Sequence, residues 1–153
     1  NQAELPRLFA DETTQIMSSC WLTNFKESAD SLVYVPTETV YFGRRTHITE
    51  KTFKAITLEM PFVLVAPAGS LEYMREYGFK TFSDIFDESY DNYRNPIDRH
   101  EIILNNIKKY KNDYTLLDSL IRDNQEILKY NHDELDFYND PSTFSINKLY
   151  KTN

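Results

Sequence analysis

The chain has 153 residues and a mass of 18.1 kDa, the size of a single domain, and its 41% of hydrophobic residues are enough for one core. Its 24 acidic and 17 basic residues give a net charge of -7, which argues against a general nucleic-acid-binding protein, because such proteins need a basic face. The single cysteine, Cys20, excludes an intrachain disulfide and a multi-cysteine zinc site. No apolar run approaches the roughly 20 residues of a membrane span. We therefore expect a soluble, cytoplasmic protein without a metal or cofactor.

Residues 1–30 form a mixed N-terminal segment. Within it, 11–14 could open a short helix whose apolar residues are Ile16, Met17, Cys20 and Trp21. The chain begins without a methionine, from which we expect the C-terminal part of a longer protein. A missing domain would leave an apolar face uncovered, and such a face favours a homodimer.

Residues 32–91 alternate between short apolar runs and helical patterns. The β-branched and aromatic run 32–35 predicts a strand that Pro36 ends, and a polar loop follows at 37–48. Thr49 is a good N-cap for a helix over 50–59.

The second half of this region repeats the pattern. The continuously apolar run 62–65 predicts a strand covered on both faces. Ser70 can cap a helix that ends at Tyr77, Gly78 fits the position just past its end, and 79–82 could be a third short strand.

Strands that alternate with helices indicate a parallel sheet with right-handed crossovers. The predicted fold class is therefore α/β, a small Rossmann-like parallel sheet flanked by helices, in one domain with its core at 32–91. The last third, 95–140, is predicted to be a helical extension. One helix begins at Asn95-Pro96, and a longer one follows Asp113 with apolar residues at helical spacing as far as Leu128.

A cluster of basic residues leads into the predicted helix at Glu50. Helix N-termini favour anions, and in open α/β sheets ligands lie outside the carboxyl ends of the strands. Lys51 is electrostatically misplaced in a first helical turn unless an anion binds there. The sequence therefore predicts an anion-binding pocket with these candidate substrate-binding residues: Arg44, Arg45, Thr49, Glu50, Lys51, Lys54, Gly69 and Ser70.

Simpler interpretations of the same residues remain open. Glu50 and Lys54 could form an (i, i+4) surface ion pair, with Lys51 solvated. Glu38 and His47 are candidate catalytic groups, although Glu38 could equally hold one of the neighbouring arginines in place. The acidic run 84–91 could bind a divalent cation, but it lacks a calcium-loop spacing and reads more simply as a solvated loop.

Several segments together resemble a group of uncharacterised phage and bacterial proteins. The resemblance lies in Glu38-Thr39 and in residues 48–56, 61–65, 69–71, 78–82 and 87–91. These proteins are similar to the nucleotide-sugar-binding half of glycosyltransferases with two Rossmann-like domains, through the fucosyltransferase-like pattern Thr-Glu-Lys before a buried strand.

This resemblance implies a function. It implies that the chain is the nucleotide-sugar-binding part of a glycosyltransferase-like protein. Glu50 would contact the sugar or ribose, and Lys51 would contact the nucleotide diphosphate. Such enzymes have an acceptor-binding domain first, for which this chain has no room, so the chain alone could be inactive. The alternative is a binding or interaction module without chemistry.

Overall fold

The computed structural model of the chain describes residues 28–43 and 46–139, with side chains up to 136. The predicted N-terminal helix with Ile16, Met17, Cys20 and Trp21 lies outside the described residues. The helices in the described part are α1 (Glu50–Thr57), α2 (Ser70–Glu76), a 3-10 helix (Glu88–Asn92), α3 (Pro96–Lys109), α4 (Tyr114–Asp123) and α5 (Gln125–Asn139).

The predicted Rossmann-like parallel sheet is wrong, because the described residues contain no strand. The segments at 34–37 and 62–65 do run parallel to each other. However, they form only two isolated bridges, Tyr34 with Phe62 and Thr37 with Val65. Residues 79–82, the predicted third strand, are not a strand either.

Pro36 explains why this pairing does not become a strand pair. The Tyr34 N–H donates to the Pro61 carbonyl and the Val65 N–H donates to the Pro36 carbonyl, both at 2.9 Å. A regular parallel ladder would need residue 36 to donate its own N–H to Val63 between these two bonds. Proline has no N–H, so the ladder is interrupted at its centre.

Side-chain caps begin three of the helices that the sequence predicts. In each, an oxygen of the residue before the helix accepts a hydrogen bond from a first-turn N–H, and these residues are Thr49, Asn95 and Asp113. Such caps satisfy N–H groups that have no partner within the helix. Helix α1 ends at Thr57, slightly earlier than predicted.

The long helix predicted after Asp113 is two helices, α4 and α5. The break is at Asn124, whose side-chain Nδ2 donates to the Leu120 carbonyl at 2.8 Å and whose backbone N–H donates to Ile121 at 3.1 Å. Asparagine competes in this way with the regular backbone bonds of a helix, which favours a turn. The apolar spacing continues through the break and therefore did not reveal it.

One hydrophobic core includes residues from both halves of the described chain. It contains Ile56, Phe62, Leu64, Leu71, Phe82, Ile85, Ile103, Leu117, Ile121 and Leu128, among others. Helix α5 packs against α1, and α3 packs against the 3-10 helix. The helical residues 95–139 thus share a core with 32–91.

Two buried asparagines attach irregular backbone to the C-terminal helices. Asn106 on α3 accepts from the Asp87 N–H and donates to the Asp87 carbonyl, both at 2.8 Å. Asn131 on α5 accepts from the Lys80 N–H at 2.8 Å and donates to the Lys80 carbonyl at 2.9 Å. Each side-chain amide thus forms the two hydrogen bonds that a neighbouring strand would provide. The N–H and C=O groups of Lys80 are therefore satisfied without a sheet.

Candidate functional site

A buried carboxylate, Glu38, holds the residues that begin α1. This side chain is only 3% exposed. Its Oε1 accepts from the Thr49 N–H at 2.9 Å and from the Thr52 hydroxyl at 2.6 Å, and its Oε2 accepts from the Thr49 hydroxyl at 2.5 Å. Glu38 is therefore a buried carboxylate that binds the N-cap residue of α1, and its two oxygens accept hydrogen bonds from Thr49 and Thr52.

A small polar cluster lies on the surface beside this cap. Its members are Thr39, Glu50 and Lys51, and we call it the Lys51 cluster. The Lys51 ammonium donates to Glu50 Oε1 at 3.0 Å and to the Thr39 hydroxyl at 3.3 Å, and it also reaches the Thr49 hydroxyl at 3.4 Å. The side chains of Lys51 and Glu50 are 39% and 27% exposed. The hydrogen bond from Lys51 lowers the pKa of Glu50, so Glu50 is a carboxylate at neutral pH.

The N-terminus of α2 is closed by a carboxylate, Asp91, which accepts directly from first-turn N–H groups. The Leu71 N–H donates to both carboxylate oxygens of Asp91 at 3.1 Å, and the Glu72 N–H donates to Oδ2 at 3.0 Å. The N-cap is Gly69 in a left-handed conformation, not Ser70 as predicted. Ser70 is 1% exposed, and its hydroxyl donates to the Pro67 carbonyl at 2.6 Å. Gly69 and Ser70 therefore do not line an open anion pocket.

The remaining predicted site residues are dispersed. Arg44 and Arg45 lie outside the described residues. His47 is exposed, and no carboxylate in the described part of the chain forms an ion pair with it. Lys54 is partly buried in the last turn of α1. The alternative ion pair between Lys54 and Glu50 is not formed, because Glu50 binds Lys51 instead.

The acidic run 84–91 serves as a set of backbone caps. Asp87 accepts from the Ser89 N–H at 2.9 Å and so begins the 3-10 helix. Glu88 accepts from the Phe82 N–H at 2.6 Å and forms an ion pair with Arg75 at 3.2 Å. The described residues contain no group of three or more acidic, histidine or cysteine side chains placed to hold a metal ion.

Arg99 is a buried cation that the sequence did not single out. It is 2% exposed, and it donates to the Tyr93 carbonyl at 2.8 Å and to the Tyr41 carbonyl at 2.7 Å. Its guanidinium lies 4.2 Å from the centre of the Tyr41 ring, and the Tyr41 hydroxyl donates to the Pro96 carbonyl at 3.1 Å. Arg99 thus fixes the 41–43 loop to the start of α3. No local sequence signal would have distinguished it from a surface arginine.

Comparison of the chain with protein-family models, with curated proteins and with solved structures gives no match. Among the described helices, none has the length and apolarity needed to cross a bilayer. A function must therefore be argued from the geometry of the described residues.

Proposed function

We propose that the Lys51 cluster binds the nucleoside diphosphate part of a nucleotide sugar, as the donor-binding part of a glycosyltransferase-like protein. The observation that carries the proposal is the position of Lys51. Its ammonium lies in the first turn of α1, is partly exposed, and is held by Glu50 and by the Thr39 and Thr49 hydroxyls. A cation at this end of a helix is unfavourable by a few tenths of a kcal/mol, and a phosphate group would offset that cost.

The chemistry of the three side chains supports this ligand class. An ammonium group donates to phosphate oxygens, and an ionised carboxylate accepts from the hydroxyl groups of a ribose or hexose. In the free protein Glu50 and Lys51 neutralise each other at 3.0 Å, and a ligand that carries both phosphates and hydroxyls could replace that contact. The resemblance assigns Glu50 and Lys51 these same two roles.

The carboxylates at the starts of α1 and α2 restrict how such a ligand could bind. Glu38 and Asp91 already accept hydrogen bonds at the starts of α1 and α2. The phosphates would therefore contact the Lys51 ammonium on the outside of α1, where the ligand is held by side chains. We expect modest affinity for the isolated chain, because few groups enclose the ligand.

Titration calorimetry with UDP, GDP and the corresponding nucleotide sugars tests the proposal. Lys51→Ala should weaken binding by roughly 10- to 100-fold, the effect of losing one hydrogen bond to a charged group. Lys129→Ala is the matched control, because Lys129 is also a surface lysine paired with a carboxylate, Asp133, at 3.7 Å. Equal binding by wild type and Lys51→Ala would place the ligand elsewhere.

The second candidate is a binding or interaction module without chemistry. The observation that favours it is that the chain's own carboxylates lie where phosphate was expected, Glu38 on the N-cap residue of α1 and Asp91 on the first-turn N–H groups of α2. The two candidates differ in a thermal shift assay. A nucleoside diphosphate that raises the melting temperature supports the donor-binding function, and no shift with any nucleotide at millimolar concentration favours the interaction module.

A further inference from the structure

The segment 34–38 pairs with 62–65 along one of its two sides. The Val63 N–H donates to the Tyr34 carbonyl at 3.0 Å, and the backbone groups of residues 36 and 38 also bond to 62–65. In an extended chain the N–H and C=O groups of alternate residues point to opposite sides. Those of Val33, Val35 and Thr37 therefore turn away from 62–65, and we call these three residues the outer edge.

The outer edge carries free hydrogen-bonding groups. Within the part of the chain that the structure describes, no N–H or C=O of Val33, Val35 or Thr37 has a hydrogen-bond partner. Val35 is 40% exposed, and Thr37 is exposed as well. Pro36 takes nothing from this edge, because its missing N–H lies on the side of 62–65. An unpaired edge of this kind is the surface to which another extended segment adds as a strand.

An open apolar groove lies beside the outer edge. Its volume is about 580 Å³, and its lining includes Leu32, Val33 and Val35 together with Ile107 and Tyr114 from the end of α3 and the start of α4. Ile107 is 44% exposed and Tyr114 is 63% exposed. Because Val33 and Val35 both line the groove, every second side chain of a segment added to the outer edge would lie on the same face and reach it.

The groove also has a basic rim. Lys108 and Lys111 line it, and both are exposed, in a chain whose net charge is -7. Among the described residues no carboxylate forms an ion pair with either lysine. Asp30 is the carboxylate that lines the groove. Two unpaired cations beside one carboxylate favour an occupant that carries negative charge.

We propose that the outer edge binds an extended, acidic peptide segment of a partner protein, which adds to it as a strand. The peptide backbone would bond to Val33, Val35 and Thr37, its alternate apolar side chains would enter the groove, and its carboxylates would lie near Lys108 and Lys111. A helix satisfies its own backbone groups and would leave those of the outer edge without protein partners, so the unpaired edge favours an extended occupant. The proposal does not depend on nucleotide binding at the Lys51 cluster.

Fluorescence anisotropy with labelled synthetic peptides tests the proposal on the full chain. The two probes alternate valine with threonine and carry two glutamates, at the N-terminal end in one and at the C-terminal end in the other, so that both strand directions are covered. At least one should bind at micromolar concentration. Two versions of that peptide are then N-methylated on alternate residues. The version that loses the N–H groups facing the outer edge should bind at least about 10-fold more weakly, and the other should keep its affinity.

Protein variants locate the peptide on the molecule. Val35→Pro removes the central N–H of the outer edge and should weaken binding roughly 3- to 10-fold. Lys108→Glu combined with Lys111→Glu should weaken it about 10-fold at low salt and less at high salt. Lys129→Glu is the matched control, because Lys129 is exposed on α5 and does not line the groove.

Three results would overturn the proposal. They are no binding of either peptide at millimolar concentration, equal affinity of the two N-methylated versions, and a dimer in sedimentation velocity that Val35→Pro dissociates. The last result would show that a second copy of the chain occupies the outer edge.

Discussion

Glu59 and Gly78 occupy the same position at the C-terminal ends of α1 and α2. Both have positive φ, 49° for Glu59 and 94° for Gly78. In each helix the N–H of this residue and that of the next one turn back to the last helical carbonyls. These bonds are Glu59 to Ile56, Met60 to Ala55, Gly78 to Arg75 and Phe79 to Met74, at 2.9 to 3.2 Å. One of two equivalent helix ends therefore uses glycine and the other tolerates a strained glutamate.

Replacing Glu59 by glycine should stabilise the protein. Glycine adopts a positive φ without the steric cost of a Cβ, so we expect a gain of about 0.5–1 kcal/mol in the free energy of unfolding. Urea denaturation measures it. Glu101→Gly, at an exposed position inside α3, should instead lose about 1 kcal/mol. A loss of stability in Glu59→Gly would show that the glutamate side chain contributes more than the strain costs.

The reverse change, Gly78→Ala, should destabilise the protein by about 1–2 kcal/mol. Besides the strained φ, a Cβ at this position would lie 3.0 Å from Glu134 Oε1. Denaturation of Gly78→Ala in a Glu134→Ala background separates the two effects. The double variant should recover only the part of the loss due to the contact. Complete recovery would mean that backbone strain contributes nothing.

Removing the Glu38 carboxylate should be costly. Glu38→Ala leaves the Thr49 N–H and the Thr52 hydroxyl without their acceptor at a buried site, so we expect a loss on the order of 3 kcal/mol. Glu38→Gln keeps the shape and one acceptor oxygen, and should lose less. Chemical denaturation gives both values, with Glu101→Ala as the exposed-glutamate reference. A loss of less than about 0.5 kcal/mol in Glu38→Ala would show that the cap is not structural.

Asn131→Asp should lose roughly 2–4 kcal/mol at neutral pH. The new carboxylate could still accept from the Lys80 N–H, but it could not donate to the Lys80 carbonyl. The protonated carboxyl group could donate, so its pKa in the folded state should lie above its pKa in the unfolded state. The loss should therefore shrink as the pH falls towards about 4. Denaturation at several pH values measures this trend, and a loss independent of pH would contradict it.

Glu88 should make stability fall as the pH rises. Burial raises its pKa above the ordinary value of 4.5, although the hydrogen bonds from Thr81 and Phe82 and the charge of Arg75 oppose the shift. The folded state therefore holds this proton more tightly than the unfolded state, and its contribution is lost as the pH rises through the folded pKa. In Glu88→Gln the stability should decline less above pH 4.5 than in wild type. Parallel pH profiles for the two proteins would exclude this role.

Sequence patterns predicted the parts of the structure that are decided locally. Thr49, Asn95 and Asp113 each cap a helix within three residues of themselves, so a short window contains the whole interaction. The anion-binding pocket was different. The carboxylates found at these helix starts, Glu38 and Asp91, lie 11 and 20 residues from the N–H groups of Thr49 and Leu71 that they bind, and no short spacing pattern predicts such contacts.

The predicted sheet does not form because of one residue, Pro36. The runs 32–35 and 62–65 have strand-like composition, and the chain does bring them together in parallel. The sequence pattern predicts that Pro36 ends a strand, whereas this proline lies within the pairing and removes the central hydrogen bond. Strand-like composition indicates that side chains can pack on a sheet. It does not show whether each residue has the backbone N–H that the hydrogen-bond ladder requires.

The pairing of Asn131 with Lys80 also sets an order of events during synthesis. The two residues are 51 positions apart, so at about 5–20 residues per second a ribosome adds Asn131 roughly 3–10 s after Lys80. Before that, the N–H and C=O of Lys80 lack their Asn131 partner, and the face of α1 against which α5 packs is uncovered. A nascent chain that stops before residue 131 would present that bare face to chaperones and proteases.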